Sequence, residues 1–128
     1  MPEILLIDTD VIIDYLRGQA NAVASIESLA NPLLISAITV AELYSGVREG
    51  EERRALESFI SVFELVPVSE EIAAQGGLYR RDYSKSHKVG LADALIAATA
   101  KVRGATLITL NIKHFPMLQS VKVPYAKI

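Results

Sequence analysis

Short apolar runs alternate with amphipathic stretches along this chain of 128 residues. The apolar runs predict buried strands at residues 3–8, 33–38, 64–68 and 105–110, with a short edge strand at residues 121–123. The amphipathic stretches predict helices at residues 11–17, 21–30, 39–48, 51–63, 69–83 and 91–103. This alternation predicts an α/β fold: a three-layer α/β/α sandwich around a central, mainly parallel sheet of four to five strands.

Glycine and proline residues mark several of the predicted boundaries. Pro32 separates the second helix from the second strand, and Gly104 ends the last helix. Gly76 and Gly77 lie within the fifth helix, where they predict a kink or a division. Residues 84–88 are polar and basic, and we expect a loop there.

The composition predicts one well-buried domain that spans residues 1–128. Apolar residues make up 51% of the chain and the mean hydropathy is +0.31, which favours an apolar subunit interface. The net charge of −2 does not mark a nucleic-acid binder, and the absence of cysteine excludes disulfides and thiolate metal sites. Because neither a signal-peptide pattern nor a membrane-length apolar run is present, we expect a cytoplasmic protein without a membrane partner.

Three carboxylates occur where the surrounding residues predict burial. Asp8 ends the first apolar run, Glu42 opens the stretch after the second run, and Asp93 is the only charged residue between positions 89 and 100. A buried charge is unfavourable unless another group neutralises it, and no Lys or Arg has an obvious pairing position. Gathered at one end of a sheet, the three acids would form an oxygen-ligand site for a hard divalent cation.

The predicted topology brings these acids towards one edge. Sites in parallel sheets form beyond the carboxyl ends of the strands. Asp8 and Asn111 follow strands, Glu42 lies in the first turn after a strand, and Asp93 starts a helix that crosses the same edge. A Mg²⁺ or Mn²⁺ ion there would relieve the repulsion between carboxylates and activate a water molecule. The working hypothesis is a metal-dependent site that cuts phosphodiester bonds.

Each of these residues also has a purely structural interpretation. Thr39 and Glu42 have the spacing of a capping box, and Asp93 is a favourable acid at a helix N-terminus. Either Asp8 or Asp10 could cap the first helix. Two further polar residues are typical of turns: Asn111 and His114.

Four stretches together resemble the PIN-domain ribonucleases, and specifically the VapC toxins of type II toxin–antitoxin pairs. They occupy residues 7–12, 38–46, 91–100 and 107–115, follow the order of the family, and span nearly the whole chain. The resemblance implies an α/β/α sandwich, a Mg²⁺ or Mn²⁺ cofactor and single-stranded RNA as substrate. It also implies a homodimer and a cognate VapB-like antitoxin that occludes the site.

The resemblance places Asp8, Glu42 and Asp93 on the three acidic metal-site positions of the family. Asn111 falls in the fourth region, where many relatives carry Asp, and a neutral side chain there disfavours a tightly held second metal. Three neighbouring residues are expected to support the ligands: Thr9, Asp10 and Thr109.

The implied mechanism is in-line attack on phosphorus by a metal-activated water, which leaves 5′-phosphate and 3′-hydroxyl ends. Seven basic residues could contact phosphates or simply belong to solvated helix faces: Arg48, Arg53, Arg54, Arg80, Arg81, Lys85 and Lys88. Three tyrosines could stack on bases or pack in the protein: Tyr44, Tyr79 and Tyr83.

Two alternatives remain open from the residues. Asp8 and Asp10 form the Asp-x-Asp pattern that opens haloacid-dehalogenase-like phosphatases, in which Asp8 would be the nucleophile and Asp10 the acid/base. The second alternative is a non-catalytic PIN-fold interaction module, which the neutral Asn111 leaves open. Intact acids at positions 8, 42 and 93 favour the nuclease.

Overall fold

The computed structural model describes residues 2–126 and contains a sheet of five parallel strands. The strands are β1 (Leu5–Ile7), β2 (Leu33–Ser36), β3 (Glu64–Val66), β4 (Thr106–Ile108) and β5 (Val121–Lys122), and their order in the sheet is β3-β2-β1-β4-β5. The helices are α1 (Thr9–Leu16), α2 (Ala20–Glu27), α3 (Ala37–Ser45), α4 (Glu51–Ile60), α5 (Glu70–His87) and α6 (Leu91–Arg103), with a 3₁₀ turn at Ile112–His114.

Apolar side chains cover both faces of this sheet because successive strand residues point in opposite directions. In β1, Leu6 packs in one core with Ile72 of α5 and Ile96 of α6. Leu5 and Ile7 pack in the other core, to which helices α1 to α4 contribute. The predicted α/β/α sandwich with a parallel sheet is therefore confirmed.

The carboxyl ends of β1, β2 and β4 lead directly into polar residues. The backbone N–H of Asp8 donates to the carbonyl of Ile108 at 2.9 Å, so Asp8 lies beside the end of β4. Ser36 ends β2 and is fully buried, and α3 starts at the next residue. The carboxyl ends of these three strands form one edge of the sheet, which we call the acidic edge.

The start of α3 differs from the prediction. The helix begins at Ala37, two residues early, because the hydroxyl of Ser36 accepts a hydrogen bond from the N–H of Ile38 at 3.0 Å and caps the helix. The capping-box interpretation of Thr39 and Glu42 is therefore wrong. Likewise, α1 begins at Thr9 because Asp8 is its N-cap residue.

The fifth helix is one uninterrupted segment of 18 residues, so the predicted division at Gly76 and Gly77 is wrong. The predicted loop at residues 84–88 is also wrong, because α5 continues to His87 and ends where Lys88 adopts a left-handed conformation, with φ 54°. In contrast, α6 has its predicted bounds. Within residues 2–126, neither α5 nor any other helix combines the length and apolar character that crossing a membrane requires.

Candidate active site

Asp8 lies at the centre of the acidic edge, and it is only 5% exposed. Its Oδ1 accepts a hydrogen bond from the N–H of Thr9 at 2.8 Å, and its Oδ2 accepts one from the hydroxyl of Thr109 at 2.7 Å. Burial raises the pKa of Asp8 to about 7, and repulsion from Asp10 and, more weakly, Asp93 adds to it. The hydrogen bonds from Thr109 and Thr9 oppose the rise without cancelling it.

Asp10 holds the start of α1 against the segment that follows β4. Its Oδ1 accepts from the N–H of Val11 at 2.7 Å, and its Oδ2 accepts from the N–H of Leu110 at 3.1 Å. Asp10 therefore lies within the first turn of α1, whose N-cap residue is Asp8, and its supporting role stays a prediction. The carboxylate also adds negative charge beside Asp8.

Glu42 is connected to the first turn of α1 through a hydroxyl. The hydroxyl of Thr9 donates to Oε1 of Glu42 at 2.7 Å. The same Thr9 oxygen lies 3.0 Å from the hydroxyl oxygen of Thr39, whose side chain is fully buried. Because Thr9 follows Asp8 directly, this network ties Glu42 on α3 to the residue next to the buried acid.

Asp93 lies in the first turn of α6 and contacts His114, a residue whose sequence context is typical of a turn. Nδ1 of His114 lies 3.1 Å from Oδ2 of Asp93, with the two side chains 42% and 31% exposed. In the sequence, His114 lies within residues 107–115, one of the four stretches that carry the family resemblance, and this position was the signal that could have identified it. The negative charge of Asp93 reaches Asp8, since it contributes to the raised pKa of that carboxyl.

Asn111 takes part in the site through its backbone. Its N–H donates to the hydroxyl oxygen of Thr109 at 3.0 Å, which helps to orient the hydroxyl that binds Asp8. Its side chain is exposed and forms no hydrogen bond within residues 2–126. Among residues 2–126, the connection from Asn111 to Asp8 therefore passes through the hydroxyl of Thr109.

The three acids fit a divalent cation by their chemistry and charge. Carboxylate oxygens suit Mg²⁺ or Mn²⁺, and a cation would relieve the repulsion that raises the pKa of Asp8. They do not, however, form a closed ligand set: in the described part of the chain no three His, Asp or Glu side chains are arranged to hold a metal ion. Glu42 is turned to Thr9, and Asp93 to His114.

A cavity of about 520 Å³ lies next to Glu42, between α1, α3 and α4. Arg17 and Arg48 line it together with apolar residues such as Ile13 and Leu56. The structure thus places Arg48 in the same cavity as Glu42, and it adds Arg17, which the sequence did not indicate. A cation beside Glu42 is well placed to contact a polyanion.

The other predicted RNA contacts differ in their availability. Arg53 pairs with Glu49 and Glu57, and the guanidinium of Arg81 lies 2.8 Å from the carboxylate of Asp82. Four basic residues are exposed and form no salt bridge within residues 2–126: Arg54, Arg80, Lys85 and Lys88. Two of the tyrosines pack edge-on against each other, with ring centroids 6.5 Å apart: Tyr79 and Tyr83.

Comparison with known proteins agrees with this arrangement. The family model of the PIN domain matches residues 5–116. Ribonuclease VapC10 of Mycobacterium tuberculosis is 42% identical over 125 residues, which cover 95% of this chain and 93% of that protein. Ribonuclease VapC19 of the same species is 42% identical over 124 residues, which cover 94% of this chain and 98% of that protein.

A solved structure leads to the same family. A toxin–antitoxin complex from Klebsiella pneumoniae contains a chain with a TM-score of 0.84 and 30% identity, and the match covers 96% of this chain and 99% of that one. The parallel sheet and its acidic edge define the class as a nuclease-like α/β/α domain. This chain belongs to the PIN-domain family, within its VapC ribonuclease branch. The membership removes the basis for the phosphatase alternative.

Proposed function

We propose that this protein is a metal-dependent endoribonuclease that cleaves single-stranded RNA and acts as the toxin of a toxin–antitoxin pair. The observation that supports this proposal most strongly is the burial of Asp8 at the end of the central strand. The pKa of Asp8 is raised by this burial and by neighbouring acids. A buried carboxylate of this kind destabilises the folded protein, and it is useful where it binds a cation. The 42% identity to two VapC ribonucleases supplies the reaction class.

PIN-domain VapC ribonucleases are generally metal dependent. In this chain Asp8, Glu42 and Asp93 would hold Mg²⁺ or Mn²⁺, and the neutral Asn111 keeps the total negative charge low. When bound, such an ion supplies an activated water at neutral pH and neutralises charge on the phosphate. Thr109 and the N–H of Thr9 orient the two oxygens of Asp8 for that task.

Basic side chains around the edge would hold the RNA backbone. Arg48 is the best placed because it lines the cavity that also contains Glu42. Exposed residues of α5 and its C-terminal cap would extend the contact along the chain of phosphates: Arg80, Arg81, Lys85 and Lys88. The exposed pairing of Arg81 with Asp82 is weak enough for a phosphate to replace it.

The similarity to a chain of the Klebsiella pneumoniae toxin–antitoxin complex supports a VapB-like antitoxin as partner, since it covers 96% of this chain. We further propose a homodimer, for which the apolar composition and exposed residues such as Leu78 and Leu91 provide suitable surface. Cellular RNA is the substrate, so we place the activity in the cytoplasm.

The test is cleavage of a synthetic single-stranded RNA by the purified protein with Mg²⁺, with Mn²⁺ and with EDTA. Asp8→Asn and Asp93→Asn should lower the rate by about 100-fold or more, because each removes charge from the cation site. Glu64→Gln removes an exposed carboxylate on β3 and should cleave like the unaltered protein. Products should carry 5′-phosphate and 3′-hydroxyl ends.

Two outcomes would contradict the proposal. Undiminished cleavage by Asp8→Asn or in EDTA would exclude the metal site, even if the protein is a ribonuclease. Absence of cleavage with either metal, by protein that still forms a complex with its antitoxin, would favour the non-catalytic interaction module.

A further inference from the structure

Thr39 lies on α3, one turn before Glu42, and its side chain is fully buried. Residues three apart on a helix share a face, so both side chains point towards the first turn of α1. There the hydroxyl oxygen of Thr9 lies 3.0 Å from that of Thr39 and 2.7 Å from Oε1 of Glu42. Thr9 therefore lies between two residues of the same helix.

The proton count gives this network a direction. A threonine hydroxyl has one proton to donate, and a carboxylate can only accept. The proton of Thr9 therefore goes to Glu42, in the shorter and charge-assisted hydrogen bond. The oxygen of Thr9 is left to accept, so the hydroxyl of Thr39 donates to it. The order is Thr39 to Thr9 to Glu42.

We propose that Thr39 is a positioning residue for Glu42, which it fixes through the hydroxyl of Thr9. This inference rests on the proposed function, in which Glu42 is a metal-site carboxylate. Thr39 is fully buried and cannot touch RNA or solvent itself. Without its hydroxyl, the oxygen of Thr9 loses its donor, and rotation of the Thr9 side chain leaves Glu42 without its partner.

Three variants separate this role from ordinary packing. Thr39→Val removes the hydroxyl and keeps the shape, and Thr39→Ser keeps the hydroxyl. Thr99→Val is the matched control, because Thr99 is also a fully buried helical threonine but donates to the carbonyl of Leu95 in its own helix. The readouts are Mn²⁺ binding by calorimetry with the metal alone, kcat and KM for RNA, and the melting temperature.

Thr39→Val should bind Mn²⁺ about tenfold more weakly and have a lower kcat at nearly unchanged KM, as is usual when a supporting hydrogen bond to a metal ligand is lost. Thr39→Ser should restore both, and Thr99→Val should lower only the melting temperature. If Thr39→Val also lowers only the melting temperature, its role is packing and the inference is wrong.

A metal-free measurement keeps this test independent of the proposed function. If the unaltered protein neither binds Mn²⁺ nor cleaves RNA, the proposed function fails. The Thr39 network can still be measured with a double-mutant cycle in which Thr39→Val is combined with Glu42→Ala, which removes the acceptor oxygen, and melting temperatures are compared. Non-additive shifts support the network between Thr39 and Glu42, and additive shifts overturn it.

Discussion

Thr109 donates a hydrogen bond to Asp8 at 2.7 Å, across 101 residues of sequence, and so joins the ends of the central strand β1 and its neighbour β4. The contact stabilises the ionised form of Asp8, yet burial and the charge of Asp10 outweigh it and raise the pKa to about 7. The edge therefore holds a carboxyl group that keeps its proton below about neutral pH when no cation is bound, because its pKa is raised to about 7.

The metal-free protein should lose stability as the pH rises from about 4 to about 7. The unfolded carboxyl titrates near 3.8 and the folded one near 7, so in this window the folded state binds more protons and the free energy of unfolding falls. The loss should be on the order of 1–3 kcal/mol, less than the full shift implies because Asp8 is coupled to other acids.

Urea unfolding of the native protein and of Asp8→Asn across this pH range measures the effect. Asp8→Asn should remove most of the slope and be the more stable protein at pH 7 to 8 without metal. The comparison isolates Asp8 because other groups, such as Glu3 with its lowered pKa, are present in both proteins. Equal slopes would show that Asp8 is ionised throughout.

His114→Ala should lower RNA cleavage about tenfold, because Asp93 loses the side chain that orients it. His114→Asn should retain most of the activity, since an amide N–H can donate to the carboxylate in place of Nδ1. Lys113→Ala, on the same 3₁₀ turn, is the control. Cleavage rates across a Mn²⁺ series measure this, and a fully active His114→Ala would show that the contact is dispensable.

Gly76→Ala should destabilise the protein by about 1–3 kcal/mol through overpacking. A methyl group at position 76 would lie 2.5 Å from Cδ2 and 3.2 Å from Cα of Leu95, in the contact between α5 and α6. Gly77→Ala meets open space in the same helix and should stabilise by about 0.5–1 kcal/mol. Chemical unfolding of both variants tests the contrast, which equal destabilisation would refute.

Arg48→Ala should raise KM for RNA several-fold and reduce its dependence on salt by about one phosphate contact, with little change in kcat. Arg53→Ala is the matched control, because Arg53 is held by Glu49 and Glu57. Cleavage kinetics at a series of salt concentrations provide the measurement. The same KM for both variants would remove Arg48 from the RNA contacts.

The sequence predicted the elements whose pattern is local. The apolar run before Asp8 and the nearly all-apolar helix α6, ended by Gly104, have clear signals, and both occur as predicted. The end of α5 has no such signal, because residues 84–87 are polar and lie on a solvated last turn. Gly76 has a packing role that only the neighbouring helix reveals, so its interpretation as a point where the helix divides was wrong.

The sequence named the acids of the candidate site, whose role as ligands stays a prediction, and did not name the side chains that contact them. Asp8, Glu42 and Asp93 stood out because each is a charge beside apolar residues in the sequence. The burial that this pattern predicts is found for Asp8, whereas Glu42 is exposed and the side chain of Asp93 is 31% exposed. The contacts of Thr39 with Thr9 and of His114 with Asp93 join residues that are distant in sequence, and no local pattern encodes them. Competition between Ser36 and Thr39 for the cap of α3 likewise depends on where β2 ends.

The order of the strands in the sheet determines how late during synthesis the chain can form its acidic edge. β1 leaves the ribosome well before its partner β4, which ends only at Ile108, and the hydroxyl that binds Asp8 follows one residue later. A truncated or still growing polypeptide thus cannot assemble the acidic edge. Nuclease capability would therefore arrive only after residue 109 has been made, about a hundred residues after Asp8 itself.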